Sequence, residues 1–113
     1  MKAFTDIEQS KKLAKILPID SADAFYDIAE PEKRQVPIIG HPDNYYDMDG
    51  WAIPCRSLTA LLDILPEGTR LLKSATGDTY HCDCPKGNID KWYDDPVDAC
   101  VEMILKLKER ESL

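Results

Sequence analysis

The sequence predicts an α+β fold, in which three or four helices pack on one face of a small antiparallel sheet of two to four strands. Three observations predict this class. Helical hydrophobic spacing with capping residues occurs near both ends of the chain and in its middle. Two alternating segments flank a glycine turn, which is typical of a β-hairpin. A length of 113 residues suits one domain, so residues 1–113 are expected to form a single domain.

The first helix is predicted to begin at Thr5. Thr5 and Glu8 have the spacing of a capping box, in which the Thr5 hydroxyl accepts a hydrogen bond from the Glu8 amide. Apolar residues follow at helical spacing as far as Leu17, and Pro18 ends the helix. A short second helix is predicted at Ser21–Ile28.

Residues 30–54 form an irregular, proline-rich segment in which the hydrophobic periodicity is lost. A long segment of this kind usually contains short strands or serves as a binding loop. Short edge strands are predicted at Val36–Ile39 and Trp51–Ile53, because prolines border both and fit sheet edges better than sheet centres.

The second half of the chain has clearer local signals. Ser57 is a suitable N-cap for a helix at Leu58–Leu65. Thr69–Ala75 and Thr79–Cys84 are predicted to pair as a hairpin, and Asn88–Tyr93 as a third strand.

The last helix is the best defined. Asp95 is in the N-cap position and Pro96 in the first helical position, where proline is favoured. Its predicted buried stripe consists of Val97, Cys100, Val101, Ile104 and either Leu105 or Leu107.

The net charge of −7 argues against binding to nucleic-acid phosphates, which depends on clustered lysine and arginine. The acidic residues concentrate between Asp20 and Asp49. The simplest interpretation is a solvated surface that keeps the protein soluble. The sharper alternatives are a patch that docks on a basic partner and a surface that imitates nucleic acid.

The chain is expected to be cytoplasmic and not to bind a membrane. It contains no apolar run near the ~20 residues of a membrane span. The first six residues become acidic and amphipathic at once, unlike a secretory signal. In a reducing compartment the four cysteines are expected to remain thiols.

Three of the cysteines are interpreted as small core residues. Strand alternation places Cys82 and Cys84 on the same face as Leu71, whereas His81 points the other way. Cys100 lies on the apolar stripe of the last helix. Structural zinc sites use pairs of cysteine knuckles, and only one short knuckle is present. The sequence therefore predicts neither metal ligands nor a cofactor.

No catalytic residues are assigned. A thiol nucleophile needs a histidine base, and nothing in the sequence brings His41 to Cys55. The acidic run before Gly50 fails as an EF-hand, because it places Tyr45 at position one and Arg56 at position twelve of the loop. The sequence contains none of the phosphate-loop or nucleophile-elbow motifs either.

The candidate binding residues lie in the irregular segment, because loop aromatics often dominate protein–protein contacts. They are Tyr45, Tyr46 and Trp51, with the carboxylates of Asp43 and Asp47. Trp51 fits a core position equally well, and Trp92 is expected to help fill the core.

Three parts of the chain carry a resemblance: TDIEQSKKL at Thr5–Leu13 with the Leu17–Pro18 and Ser21–Asp23 segments that follow it, SLTALLDILP at Ser57–Pro66, and DPVDACVEMI at Asp95–Ile104. They resemble an uncharacterised family of short Bacteroidetes proteins, often associated with phage-like or mobile-element regions. The likeness covers about half of the chain. This sequence departs from it at Arg56, where the family tends to carry tryptophan. The resemblance implies no activity and supplies no functional residues.

The leading hypothesis is a non-enzymatic accessory protein that binds another protein or its own copy. It follows from the lack of a catalytic constellation and from the acidic irregular segment with its tyrosines. One alternative is a small thiol- or metal-dependent enzyme that uses Cys55 or the Cys82/Cys84 pair. The other is an acidic nucleic-acid mimic that inhibits a DNA-binding protein.

Overall fold

The computed structural model describes residues 2–28, 36–40 and 52–113. Its α-helices are α1 (Ile7–Ala14), α2 (Leu58–Ile64) and α3 (Pro96–Glu109), and a 3₁₀ turn covers Ile19–Ser21. Its strands are β1 (Ala24–Asp27), β2 (Ile38–Ile39), β3 (Ala52–Cys55), β4 (Arg70–Lys73) and β5 (Tyr80–Asp83). The predicted α+β class is confirmed.

The strands form two antiparallel sheets, although one sheet was predicted. The first has the order β2–β1–β3, and Ala24 of β1 pairs with Ile39 on one side and Cys55 on the other. The second is the predicted hairpin of β4 and β5, with Leu71 opposite Cys82. Within the described part of the chain, β2 and β3 are the outer strands of the first sheet, as the prolines at their borders indicated.

The helix predicted at Ser21–Ile28 is wrong, because these residues form the end of the 3₁₀ turn and then β1. Ala24, Phe25 and Tyr26 are all buried in the central strand of the first sheet. A short continuous apolar run of this kind has no period that separates a buried strand from a helix. Pairing with β2 and β3 decides the conformation.

The cap of α1 lies one residue later than predicted. The Asp6 carboxylate accepts from the Gln9 amide at 2.8 Å, and the Gln9 side chain accepts from the Asp6 amide at 3.1 Å. Thr5 is fully buried, and its hydroxyl lies 2.8 Å from the Ser10 hydroxyl. The helix ends at Ala14, before the predicted stop at Pro18.

The other predicted caps are confirmed. Ser57 caps α2, and Asp95 caps α3 with Pro96 in its first turn. The third strand is reduced to a single bridge between Tyr80 and Tyr93, whose backbone hydrogen bonds are 2.7 and 2.8 Å long. The residues before the bridge do not form a strand, because the Lys91 amide donates to the Ile89 carbonyl two residues earlier.

The buried side chains of the described residues form two groups that stabilise the fold. The larger joins α2, β5 and α3 and includes Leu61, Met103 and Ile104. The smaller lies on the first sheet around Tyr26 and Ile53. The predicted stripe of α3 is confirmed, with Leu107 fully buried and Leu105 only partly so. The core assignment of the three cysteines is also confirmed, at 4% exposure for Cys82, 5% for Cys84 and 0% for Cys100.

We predict that Asp6→Ala lowers the free energy of unfolding by about 1 kcal/mol, the usual value of an N-cap. Burial raises the pKa of Asp6, but the Gln9 amide and Lys2 outweigh it, so the pKa lies below its ordinary value. The stabilisation by the cap is therefore complete when the pH is above the ordinary carboxyl pKa. It is lost as the pH falls through the lowered pKa of Asp6.

Urea unfolding across this pH range measures the effect. Asp90→Ala, in an exposed loop position, is the matched control and should change little. If the free energies of unfolding of Asp6→Ala and the parent protein still differed by the same amount in strong acid, Asp6 would not be the cap.

Candidate functional site

The five predicted binding residues lie outside the described part of the chain: Tyr45, Tyr46, Trp51, Asp43 and Asp47. His41 lies outside it as well. Their assignment stays a prediction.

The core assignment of Trp92 is wrong, because this side chain is 44% exposed. Its ring lies beside the His81 imidazole, with the ring centroids 5.2 Å apart. The neighbouring Tyr93 bonds to Tyr80 and packs on the larger core. Trp92 therefore lies on the His81 side of the hairpin and faces outward, whereas Tyr93 packs on the core.

A cleft of about 540 Å³ lies between the 3₁₀ turn, β2 and α2. Aspartates and apolar side chains line it together, and we call it the aspartate cleft. Its lining residues are Asp20, Ser21, Ala22, Asp23, Ile39, Gly40, Thr59, Ala60, Asp63 and Ile64.

Asp23 links the three walls of the aspartate cleft. Its carboxylate accepts from the Ser57 amide at 2.8 Å and from the Ser57 hydroxyl. The Ser57 oxygen in turn accepts from the Ala60 amide at 3.2 Å and so caps α2. The Asp23 carbonyl accepts from the Gly40 amide at 3.0 Å, which ties down the end of β2. The positions of all three walls therefore depend on one residue.

Arg56 braces the 3₁₀ turn from the protein interior. The residue is 0% exposed. Its Nε and Nη2 donate to the Ser21 hydroxyl at 3.0 and 2.8 Å, and Nη2 also donates to the Pro18 carbonyl at 3.2 Å. Burial lowers the pKa of the guanidinium, and the charge of nearby Asp23 opposes that shift. An arginine remains a cation even so.

The backbone of Arg56 holds the segment before α1. The Arg56 amide donates to the Thr5 hydroxyl at 3.1 Å, and the Thr5 amide donates to the Arg56 carbonyl at 2.9 Å. The Tyr26 hydroxyl donates to the Thr5 carbonyl at 2.8 Å. Arg56 therefore joins α1, the 3₁₀ turn and the β3–α2 junction.

The solvent side of the aspartate cleft combines charge with apolar surface. Asp20 and Asp63 contribute carboxylates, and Ile39 is 71% exposed. Inside the cleft, the Ser21 hydroxyl donates to the Pro18 carbonyl, and the Asp23 carboxylate accepts from the Ser57 hydroxyl behind the wall. This arrangement suits recognition of a cationic and apolar group. Among the described residues, no group of three histidine, cysteine or carboxylate side chains is placed to hold a metal ion.

All four thiols are buried. Burial raises the pKa of Cys55 to about 12, and the nearby charge of Asp23 adds to the shift. The pKa of Cys100 is raised by its hydrogen bond with Cys82 and by burial. A nucleophilic cysteine needs access and a thiolate at working pH. Cys55 has neither at neutral pH.

His81 is not placed beside any of these thiols. Its Nδ1 lies 3.0 Å from the Lys91 carbonyl, on the side of the hairpin opposite Cys82. This agrees with the predicted alternation. The described residues therefore contain no paired cysteine and histidine of the kind that a thiol enzyme uses.

Comparison with protein-family models, curated proteins and solved structures found no match. The resemblance to the Bacteroidetes family stays a prediction. Within residues 2–28, 36–40 and 52–113, no helix has the length and apolar character that a membrane span requires.

Sequence reasoning missed the site itself. Asp20 and Asp23 were noted only as members of an acidic stretch, and Asp63 and Ile39 only as parts of predicted elements. The best local indication of the site was the predicted N-cap at Ser57. A hydroxyl that accepts from a helix amide can also donate its own proton to a second acceptor. Nothing near Ser57 in the sequence identifies Asp23 as its acceptor.

We predict that none of the four thiols reacts rapidly with a disulfide reagent such as DTNB at pH 8 in the native protein. Their burial blocks access, and Cys55 is protonated at that pH because its pKa is about 12. Reaction in guanidinium chloride should release four equivalents at once. A rapid native equivalent that Cys55→Ala removes would contradict this assignment and favour a thiol enzyme.

Proposed function

We propose that this protein is a non-enzymatic binding protein, and that its aspartate cleft takes an extended segment of a partner protein with alternating basic and apolar side chains. One observation carries the proposal. The cleft places the exposed Ile39 beside the carboxylates of Asp20 and Asp63.

The apolar contribution comes from β2 and the residues before it. Val36 is 53% exposed, Ile38 is 40% exposed and Ile39 is 71% exposed. Isolated exposed apolar residues are ordinary on protein surfaces. Ile39 is the most exposed of the three and lines the cleft, where it supplies apolar surface to a bound side chain. A partner side chain that covers Ile39 would bury its apolar surface and so stabilise the complex.

The charge of the site favours a basic partner. Three aspartates line the cleft, and no lysine or arginine is among its lining residues. The chain as a whole carries a net charge of −7. Electrostatic attraction would guide a basic segment to this surface and would weaken with added salt.

The negative charge of the chain also favours a basic partner over the two alternative partners. A second copy of this chain is also acidic, so self-association through the cleft would bring like charges together. A nucleic-acid mimic would present carboxylates without the apolar surface of Ile39. We include a cytoplasmic location in the proposal, because four free thiols suit a reducing compartment.

The proposal predicts binding of an end-capped peptide of alternating lysine and valine, and much weaker binding of its glutamate–valine counterpart. Amide chemical shifts in NMR titrations measure both affinity and location. Asp63→Asn should weaken binding about two- to fivefold, as expected for one exposed charge pair. Ile39→Ser should weaken it further, because apolar contact is lost.

Asp78→Asn and Leu72→Ser are the matched controls, since both residues are exposed and lie outside the cleft. Neither should change the affinity. Equal binding of the two peptides, no binding of either, or shifts located away from the aspartate cleft would count against the proposal.

A further inference from the structure

A second, smaller cleft adjoins Arg56. Its volume is about 290 Å³, and we call it the arginine cleft. Five of its lining residues are apolar and the sixth is the buried arginine: Ala14, Leu17, Ile19, Ala52, Pro54 and Arg56. It shares no lining residue with the aspartate cleft, so a ligand bound there is independent of the proposed function.

The guanidinium of Arg56 is only partly satisfied. Nε and Nη2 have acceptors in Ser21 and Pro18, but Nη1 is buried and has no hydrogen-bond partner among the described residues. Buried side-chain donors in native proteins are nearly always paired, so an unpaired one calls for an explanation. A charged donor is more costly to leave unpaired than a neutral one.

The charge of Arg56 also has no direct counter-ion among the described residues. None of the ion pairs formed there includes Arg56. Asp23 contributes a nearby negative charge, but its two carboxylate oxygens accept from the Ser57 amide and hydroxyl. The arginine cleft therefore combines apolar walls with a cation whose remaining donor is unused.

We propose that the arginine cleft binds a small monocarboxylic acid with a short apolar chain. The carboxylate accepts from Nη1 of Arg56, and the chain packs against Leu17, Ile19 and Pro54. A hydrogen bond between a guanidinium and a carboxylate is charge-assisted and is strengthened in a site closed to water. The ligand supplies both the missing acceptor and the missing negative charge.

Entry of the ligand requires a small movement of one wall, because Nη1 is closed to water. Arg56 holds the 3₁₀ turn at Pro18 and Ser21, but the Ile19 side chain between these two residues is 36% exposed. An outward shift of Ile19 opens a path to Arg56 without disturbing β3.

Isothermal titration calorimetry with hexanoate tests the proposal, and hexanamide is the neutral control of equal shape. Hexanoate should bind, and hexanamide should bind at least tenfold more weakly. In NMR spectra, the side-chain resonances of Arg56 should move on addition of hexanoate and stay in place with hexanamide.

Ala14→Leu should reduce the affinity for hexanoate at least tenfold, because the larger side chain occupies the cleft. Leucine is almost as good a helix former as alanine, so the fold should persist. Ala75→Leu, at an exposed position outside the cleft, is the matched control and should bind as the parent does. Equal binding of the acid and the amide, no binding of hexanoate, or equal loss in both variants would overturn the proposal.

Discussion

The burial of one charged side chain links separate segments in the first half of this protein. Arg56 is withdrawn from water between β3 and α2, where the loss of hydration must be offset by hydrogen bonds. Its backbone bonds to Thr5 and its side chain to Ser21 and Pro18. These contacts fix three segments far apart in the sequence. Hydrogen bonds of a buried cation are strong in such surroundings and costly to break.

The two clefts follow from this junction. Arg56 holds the 3₁₀ turn, and the next residue, Ser57, holds Asp23 just beyond the turn. Two adjacent residues thus fix both ends of the segment that carries the acidic wall of the aspartate cleft. The guanidinium that holds this segment also forms part of the arginine cleft, which explains how one polar centre shapes two separate surfaces.

Elements with complete local signals could be predicted from the sequence. The Asp95–Pro96 start of α3, the Ser57 cap of α2 and the glycine hairpin depend on neighbouring residues only. The burial of Cys82 could also be predicted, because strand alternation fixes its face. These features need no knowledge of distant contacts.

The errors share a different cause, which is contact between residues far apart in sequence. β1 was predicted as a helix because its pairing with β2 and β3 is not visible locally. Trp92 was assigned to the core because its size favours burial, but pairing of Tyr93 with Tyr80 turned it outward. Arg56 could not be identified at all, since arginine is rarely buried completely.

A double-mutant cycle on Arg56 and Ser21 tests the central claim most directly, with free energies of unfolding measured in urea. In the parent protein, Ser21→Ala removes the acceptor of Nε and Nη2 and should cost about 1–3 kcal/mol. In an Arg56→Met background no guanidinium is left unpaired, and the same change should cost less than about 0.5 kcal/mol. Equal losses in the two backgrounds would show that the bond between Arg56 and Ser21 does not hold this junction together.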